Sequence, residues 1–235
     1  MGVFDLIYPK KCLECGKGKS YICESCIAKV GKPKLACLEC QKLSIDGKTH
    51  ARCAKKLSID YAYSVWSYEG VIRKAILKLK YNFAFDIVKE LANKFTKKIK
   101  GDLVILPKNA VITPIPLHAF RQNWRGFNQS EELGKIIAGN FGWQFYPDIL
   151  IRRKSTKPQV ELKGQERKEN VQGVFALNPN YPIRKSLTSN GASQLLSTNC
   201  ILFDDVMTTG STLREAAKVL KRNGIKNVWG LTIAS

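Results

Sequence analysis

The stretch from Ile201 to Thr212 reads ILFDDVMTTGST, and it restricts the fold more than any other part of the chain. Ile201, Leu202 and Phe203 form a short apolar run suited to a buried strand, and Leu213–Asn223 carries apolar residues at helical spacing. Between them lie Asp204, Asp205 and the hydroxyl- and glycine-rich segment Thr208-Thr209-Gly210-Ser211-Thr212. A strand, a tight loop and a helix in this order form a unit of a parallel α/β sheet, whose ligands collect beyond the C-terminal ends of the strands. The Thr/Gly/Ser segment then falls at a helix N-terminus, where backbone N–H groups and the helix dipole favour a phosphate. Gly210 lets the backbone approach an anion closely, and the hydroxyls of Thr208, Thr209, Ser211 and Thr212 add donors. Asp204 and Asp205 are acceptors suited to a sugar cis-diol or to Mg²⁺. Each half has an ordinary alternative, since acids and Ser/Thr before a helix also serve as caps. The joint pattern suits a phosphorylated ribose. It is neither a Walker A loop nor a Gly-x-Gly-x-x-Gly fingerprint.

The second constraint is at the other end. Seven of the eight cysteines lie in the first 53 residues, as Cys12-x2-Cys15, Cys23-x2-Cys26, Cys37-x2-Cys40 and a lone Cys53 with His50 three residues before it. Cys-x2-Cys lets two thiolates bind one tetrahedral ion from a tight turn. Taken in chain order, the groups form two sets of four: Cys12, Cys15, Cys23, Cys26 and Cys37, Cys40, His50, Cys53. Four protein ligands per ion make a structural Zn²⁺ site with no position left for substrate. The alternatives are disulfides and free thiols; a disulfide framework needs an oxidising compartment. Cys200 opens the apolar strand and reads as a small core residue.

At 235 residues the chain can hold one sizeable α/β domain and a small appendage. We expect a division into a 1–58 double zinc ribbon and a 59–235 α/β domain. No apolar run is long enough to span a bilayer, and the start MGVFDLIYPKKC is too short for a secretory apolar region, so a cytoplasmic protein without membrane insertion is expected. The formal net charge of +20 is distributed over both halves. Such a surplus attracts polyanions through counterion release, or it is the surface of a soluble lysine-rich protein.

Local patterns fill in the order of elements. Residues 61–68 read as a strand, Glu69–Lys80 and 86–99 as amphipathic helices with lysines opposite the apolar stripe, and Ala110–Thr113 as a strand stopped by Pro114-Ile115-Pro116, where the Ile115–Pro116 bond is a candidate cis peptide. A helix beginning near Ser130 follows, with Glu131 and Glu132 in its first turn. Arg152–Val174 is basic, polar and without apolar periodicity, which marks a functional lid or a loop. Asn178–Asn199 reads as a surface loop, and Val228–Ile233 as the last strand.

Together the paired cysteines, the acid-loop motif, WSYEG with LKLKY at 66–81, TPIPLH at 113–118, RGFNQS at 125–130 and RRKSTKPQVELKGQERKENVQGVF at 152–175 resemble the ComF family, phosphoribosyltransferase-like proteins tied to natural competence. The resemblance implies a type I phosphoribosyltransferase fold, an open and mainly parallel sheet flanked by helices, preceded by a double zinc ribbon. It implies a site for Mg²⁺ and phosphoribosyl pyrophosphate (PRPP). There the catalytic pair Asp204 and Asp205 holds the ribose diol and the metal, and Thr208, Thr209, Gly210, Ser211 and Thr212 hold the 5-phosphate. The N–H groups of Ile115, Leu117 and His118, with Arg125, Arg153 and Arg167, meet pyrophosphate. Arg152, Thr156, Gln159 and Asn170 match the family's lid, and Lys78, Lys80 and Tyr81 lie near the cleft. Two functions follow from the resemblance. One is a phosphoribosyltransferase that transfers a pentosyl group. The other is a non-catalytic handler of single-stranded DNA, working with other competence proteins on the same fold.

Overall fold

The computed structural model describes residues 10–81, 85–102, 106–117, 126–153, 172–180 and 199–235. Its strands are Tyr61–Trp66 (β1), Val111–Pro114 (β2), Gln144–Phe145 (β3), Leu150–Arg152 (β4), Phe175–Leu177 (β5), Asn199–Val206 (β6) and Asn227–Ala234 (β7). The helices are Glu24–Ile27 (α1), Gly70–Tyr81 (α2), Phe85–Gly101 (α3), Gln129–Phe141 (α4) and Ser211–Arg222 (α5). β1, β7, β6, β2 and β3 lie side by side in that order, and every neighbouring pair is parallel. This is the open, mainly parallel sheet flanked by helices of the type I phosphoribosyltransferase fold.

A parallel sheet must be covered on both faces, and strand alternation divides the apolar residues between them. Along β6, Ile201 and Phe203 join the core beneath α2, α3 and α4, where Ile72, Leu79, Leu91, Phe95 and Leu133 are fully buried. Cys200 and Leu202 point the other way, to the core shared with Leu213, Ala216, Ala217 and Leu220 of α5. Burial pushes the Cys200 thiol up to about 12, so it packs as the small apolar residue its position suggests.

Helix limits follow local chemistry. Asn128 caps α4, its side-chain oxygen accepting the Ser130 amide at 3.1 Å, and Glu131 and Glu132 occupy the first turn as expected. One expectation at the end of β2 is corrected. No cis peptide occurs among the described residues, so the Ile115–Pro116 bond is trans, the geometry most X–Pro bonds take. The expected lid is described only at its ends, where β4 and β5 pair antiparallel with Arg152 opposite Phe175. Residues 154–171, and 181–198 of the expected surface loop, lie outside the described residues.

The cysteine-rich segment is packed onto this sheet. Ile22 is wholly buried in the core that holds Trp66 and Phe95, and Glu90 of α3 accepts the Tyr21 and Ile22 amides at 3.0 and 2.9 Å. Glu69 accepts the Gly31 amide at 2.9 Å. Charge-assisted bonds to backbone are among the stronger ones, so Glu90→Ala is expected to lower stability by about 2 kcal/mol. Urea denaturation checks this, and a midpoint unchanged from the parent would contradict it.

No helix among the described residues is long and apolar enough to cross a membrane.

Candidate functional site

The β6–α5 junction sits at the C-terminal edge of the sheet. Asp204 and Asp205 occupy the last turns of pleat in β6, and their side chains are held by groups from two other elements. From α4, Gln129 Nε2 donates to Asp205 Oδ2 and Ser130 Oγ donates to Asp204 Oδ1, both at 3.1 Å. From α2, Lys80 Nζ lies 3.1 Å from Asp205 Oδ2. The Asp205 amide donates to Asp204 Oδ1 at 2.9 Å. Burial raises the Asp204 carboxyl to about 7, reinforced by the neighbouring Asp205 charge, while the Asp205 amide, Lys80 and Ser130 oppose the rise. Burial acts to lower the Lys80 ammonium, but the Asp205 carboxylate outweighs it and holds Lys80 above the ordinary lysine range. The arrangement is a carboxylate pair held by polar side chains, with one ammonium as counter-ion. Such a donor set fits Mg²⁺ or a diol.

The loop after the acids turns tightly into α5. The Met207 amide donates to the Ala234 carbonyl at 2.9 Å, which ties the loop to the end of β7. Gly210 takes a left-handed conformation (φ 67°) at the N-cap, so a side chain there would be strained. Thr209 Oγ1 and Ser211 Oγ are 3.1 Å apart, Ser211 is buried, Thr208 is exposed, and Thr212 is half-buried in the first turn. A 12-residue helix therefore starts directly beyond the acid pair, with hydroxyls around its N-terminus.

The predicted pyrophosphate residues fare unevenly. The Ile115 amide donates to the Phe203 carbonyl at 2.8 Å, so it continues the β2–β6 ladder and is not open to a ligand. A strand neighbour takes up this donor, which a local pattern does not reveal. Leu117 is half-buried in the loop after β2, and Arg153 is exposed, its amide donating to Val174 at 2.8 Å. Arg152 stands over the Phe175 ring at 5.5 Å. His118, Arg125 and Arg167 lie outside the described residues, as do Thr156, Gln159 and Asn170. Gln129 and Ser130 were not recognised as site residues in the sequence, although a polar pair in the first turn of a capped helix was available as a signal.

The two cysteine sets converge as expected. The ligand atoms of Cys12, Cys15, Cys23 and Cys26 lie within 4.8 Å of one another, as do those of Cys37, Cys40, His50 and Cys53. Cys15 and Cys23 sulfurs are 3.7 Å apart, matching the edge of about 3.8 Å that a Zn–S tetrahedron requires. His50 Nδ1 is 3.4 Å from Cys40 Sγ, while Nε2 faces the Leu43 carbonyl at 3.1 Å. A carbonyl on the far nitrogen fixes the tautomer that leaves Nδ1 to a metal. Both sets fit Zn²⁺.

A parallel α/β sheet with an acid pair and an anion-type loop beyond one strand, and with zinc-type knuckles folded against it, defines the class of protein. No family model matches the chain. It is 34% identical over 128 residues to competence protein F of Haemophilus influenzae, covering 52% of this chain and 50% of that protein, so this match spans about half of the relative's length. It is 26% identical over 219 residues to DNA utilization protein YhgH of Salmonella typhi, covering 92% of this chain and 85% of that protein. Competence protein ComFC of Bacillus subtilis is 24% identical over 219 residues, covering 92% and 79%. Along most of its length the chain is thus similar to competence and DNA utilization proteins, ComFC among them.

Proposed function

We propose that the protein binds Mg²⁺·PRPP in the β6–α5 cleft and serves natural competence or DNA utilization, as the names of its relatives suggest. The observation that carries the reading is the acid pair placed directly before a left-handed Gly210 and the hydroxyl-lined start of α5. In this reading Asp204 and Asp205 hold the ribose diol, and the Thr208–Thr212 backbone and hydroxyls hold the 5-phosphate. Bound Mg²⁺ would neutralise pyrophosphate. Gln129, Ser130 and Lys80 keep the carboxylates in place, with Leu117, His118, Arg125, Arg153 and Arg167 meeting the pyrophosphate end. Pentosyl transfer on such a site would come from positioning and electrostatics, without a dedicated base. Both cysteine sets would hold structural Zn²⁺, with 1–58 as the ribbon module, 59–235 as the phosphoribosyltransferase-like domain, and the cytoplasm as the working compartment. Calorimetric titration of Mg²⁺·PRPP into the zinc-loaded protein tests the reading; no heat of binding in the wild type would sink it.

The raised Asp204 carboxyl gives the site a pH signature. A carboxyl raised in the folded state contributes stability below its unfolded value near 4 and loses that contribution as pH rises through about 7. Metal binding needs the ionised form. Affinity for Mg²⁺ alone is therefore expected to rise with pH up to about 7 and then level off, falling by up to about tenfold per unit below that. Titrations in two buffers of different ionisation enthalpy would read one proton released per ion near pH 6. Affinity independent of pH between 5.5 and 8 would contradict it.

A second reading, non-catalytic handling of single-stranded DNA, is favoured by one specific feature besides the +20 charge. At the β1–β7 edge Tyr61 and Trp229 stack with ring centroids 3.9 Å apart, and Lys48 stands over Tyr61 at 5.8 Å. Tyr61 and Trp229 border a groove of about 540 Å³ that is also lined by Lys32, Lys34, Leu43 and Ile45, with Asp46 and Asp102 among its acids. Aromatic faces beside lysines accept unpaired bases. Trp229→Ala is expected to weaken oligo-dT binding about tenfold. Binding should also fall steeply with salt and survive loss of both aspartates. Fluorescence anisotropy reads both effects, and equal affinity in the Trp229 variant would remove this groove from the DNA path.

A further inference from the structure

The second knuckle touches the anion-type loop directly. Leu38, one residue after Cys37, is almost fully buried and belongs to the same core as Met207, Leu213 and Ala217. A Cβ placed on Gly210 would come within 2.6 and 2.7 Å of its two methyl carbons, closer than real contacts allow. The Leu38 carbonyl accepts from Gln41 Nε2 at 2.8 Å and from Arg214 Nη1 of α5 at 2.9 Å. The same Gln41 amide reaches the Thr209 carbonyl at 3.3 Å. Gln41 itself is left-handed (φ 60°), held there by the Cys37-x2-Cys40 turn, where its amide donates to the Cys37 carbonyl at 2.8 Å. The missing side chain of Gly210 is therefore filled by Leu38. The face of the loop that a local reading reserves for an anion is partly a packing surface.

We infer that the Cys37/Cys40/His50/Cys53 knuckle is a positioning element for the phosphate loop: Leu38 and Gln41 clamp Thr209 and Gly210, so that metal in the knuckle and anion in the loop favour each other. The clamp rests on the proposed phosphate site, but its mechanical half does not. A closed tetrahedral site fixes the Cys37–Cys40 turn. That turn carries both clamp residues. Coupling between two sites is reciprocal, so phosphate in the loop should also slow zinc loss from this knuckle.

The test uses the full, zinc-loaded chain with Leu38→Ala and Gln41→Asn. The second variant keeps a residue that tolerates the left-handed turn but is too short to reach Thr209, and it guards against a folding defect in the first. Two quantities are read: backbone ¹⁵N order parameters of residues 209–212 without ligand, and calorimetric affinity for ribose 5-phosphate. With two zinc ions retained per chain, order parameters should fall from about 0.85 toward 0.6. Affinity should weaken about tenfold, within the usual range of coupling. Order parameters unchanged in both variants would overturn the clamp, whatever the affinity does. If the wild type does not bind ribose 5-phosphate, the phosphate reading fails, and the order parameters alone still decide the clamp.

Discussion

Asp204→Asn/Asp205→Asn should lose affinity for Mg²⁺·PRPP by at least about a hundredfold while the protein stays folded, since two charged contacts at roughly 1.5–3 kcal/mol each are removed. Asparagine keeps the shape of each side chain and retains an oxygen for Ser130 Oγ and Gln129 Nε2, which now lie 3.1 Å from the carboxylates. Two opposing electrostatic changes accompany it. Lys80 loses its partner at 3.1 Å, which costs stability, while the repulsion that helps raise Asp204 disappears. The net change in melting temperature should therefore be small beside the change in binding. Calorimetry with a parallel thermal melt separates the two. Retention of affinity within threefold would show that the acids do not hold the ligand.

The other large effect concerns metal. Cys15→Ser should reduce bound zinc from two ions to one per chain and lower the melting temperature by about 10–20 °C, since 1 kcal/mol shifts a domain of this size by roughly 2–4 °C. Cys15 is the exposed member of its set, whereas Cys12, Cys23 and Cys26 are buried against Ile22 and the α2–α3 core. Replacing it removes a ligand without carving a cavity, so any large loss reports the metal. Among the described residues the surrounding segment has only the four-residue α1 and single bridges such as Lys11–Gly18 as regular structure. The backbone bonds of this segment mostly close its tight turns, as from the Cys12 amide to Lys17 and the Gly16 amide to Cys12, so the metal is what would bind the four thiols to one another. Zinc analysis and calorimetric melting check the result, and a melting temperature within 2 °C of the parent would mean the set does not stabilise the fold through metal.

Much of the fold was legible because its signals are local. The apolar alternation of β6, the helical stripe of α5 and the repeated Cys-x2-Cys spacing each lie within a dozen residues. The strand, the helix and the two four-ligand sets appear in the structure where those patterns put them. The antiparallel pairing of β4 and β5 was not expected, since Ile149–Arg152 and Val174–Leu177 are too short for periodicity to separate strand from loop.

The sequence by itself determined which chemical groups are available and their local order: two acids before a hydroxyl-glycine turn, and eight metal-type ligands in two sets. Only the tertiary structure decided what each group touches. It brought Gln129 and Ser130 to the acids across 76 and 74 residues, joined Gln41 to Thr209 across 168, and turned the Ile115 amide into the β2–β6 ladder. The physical reason is range. Backbone periodicity records which face a residue presents over a few turns, whereas a hydrogen-bond partner is chosen by how distant elements pack.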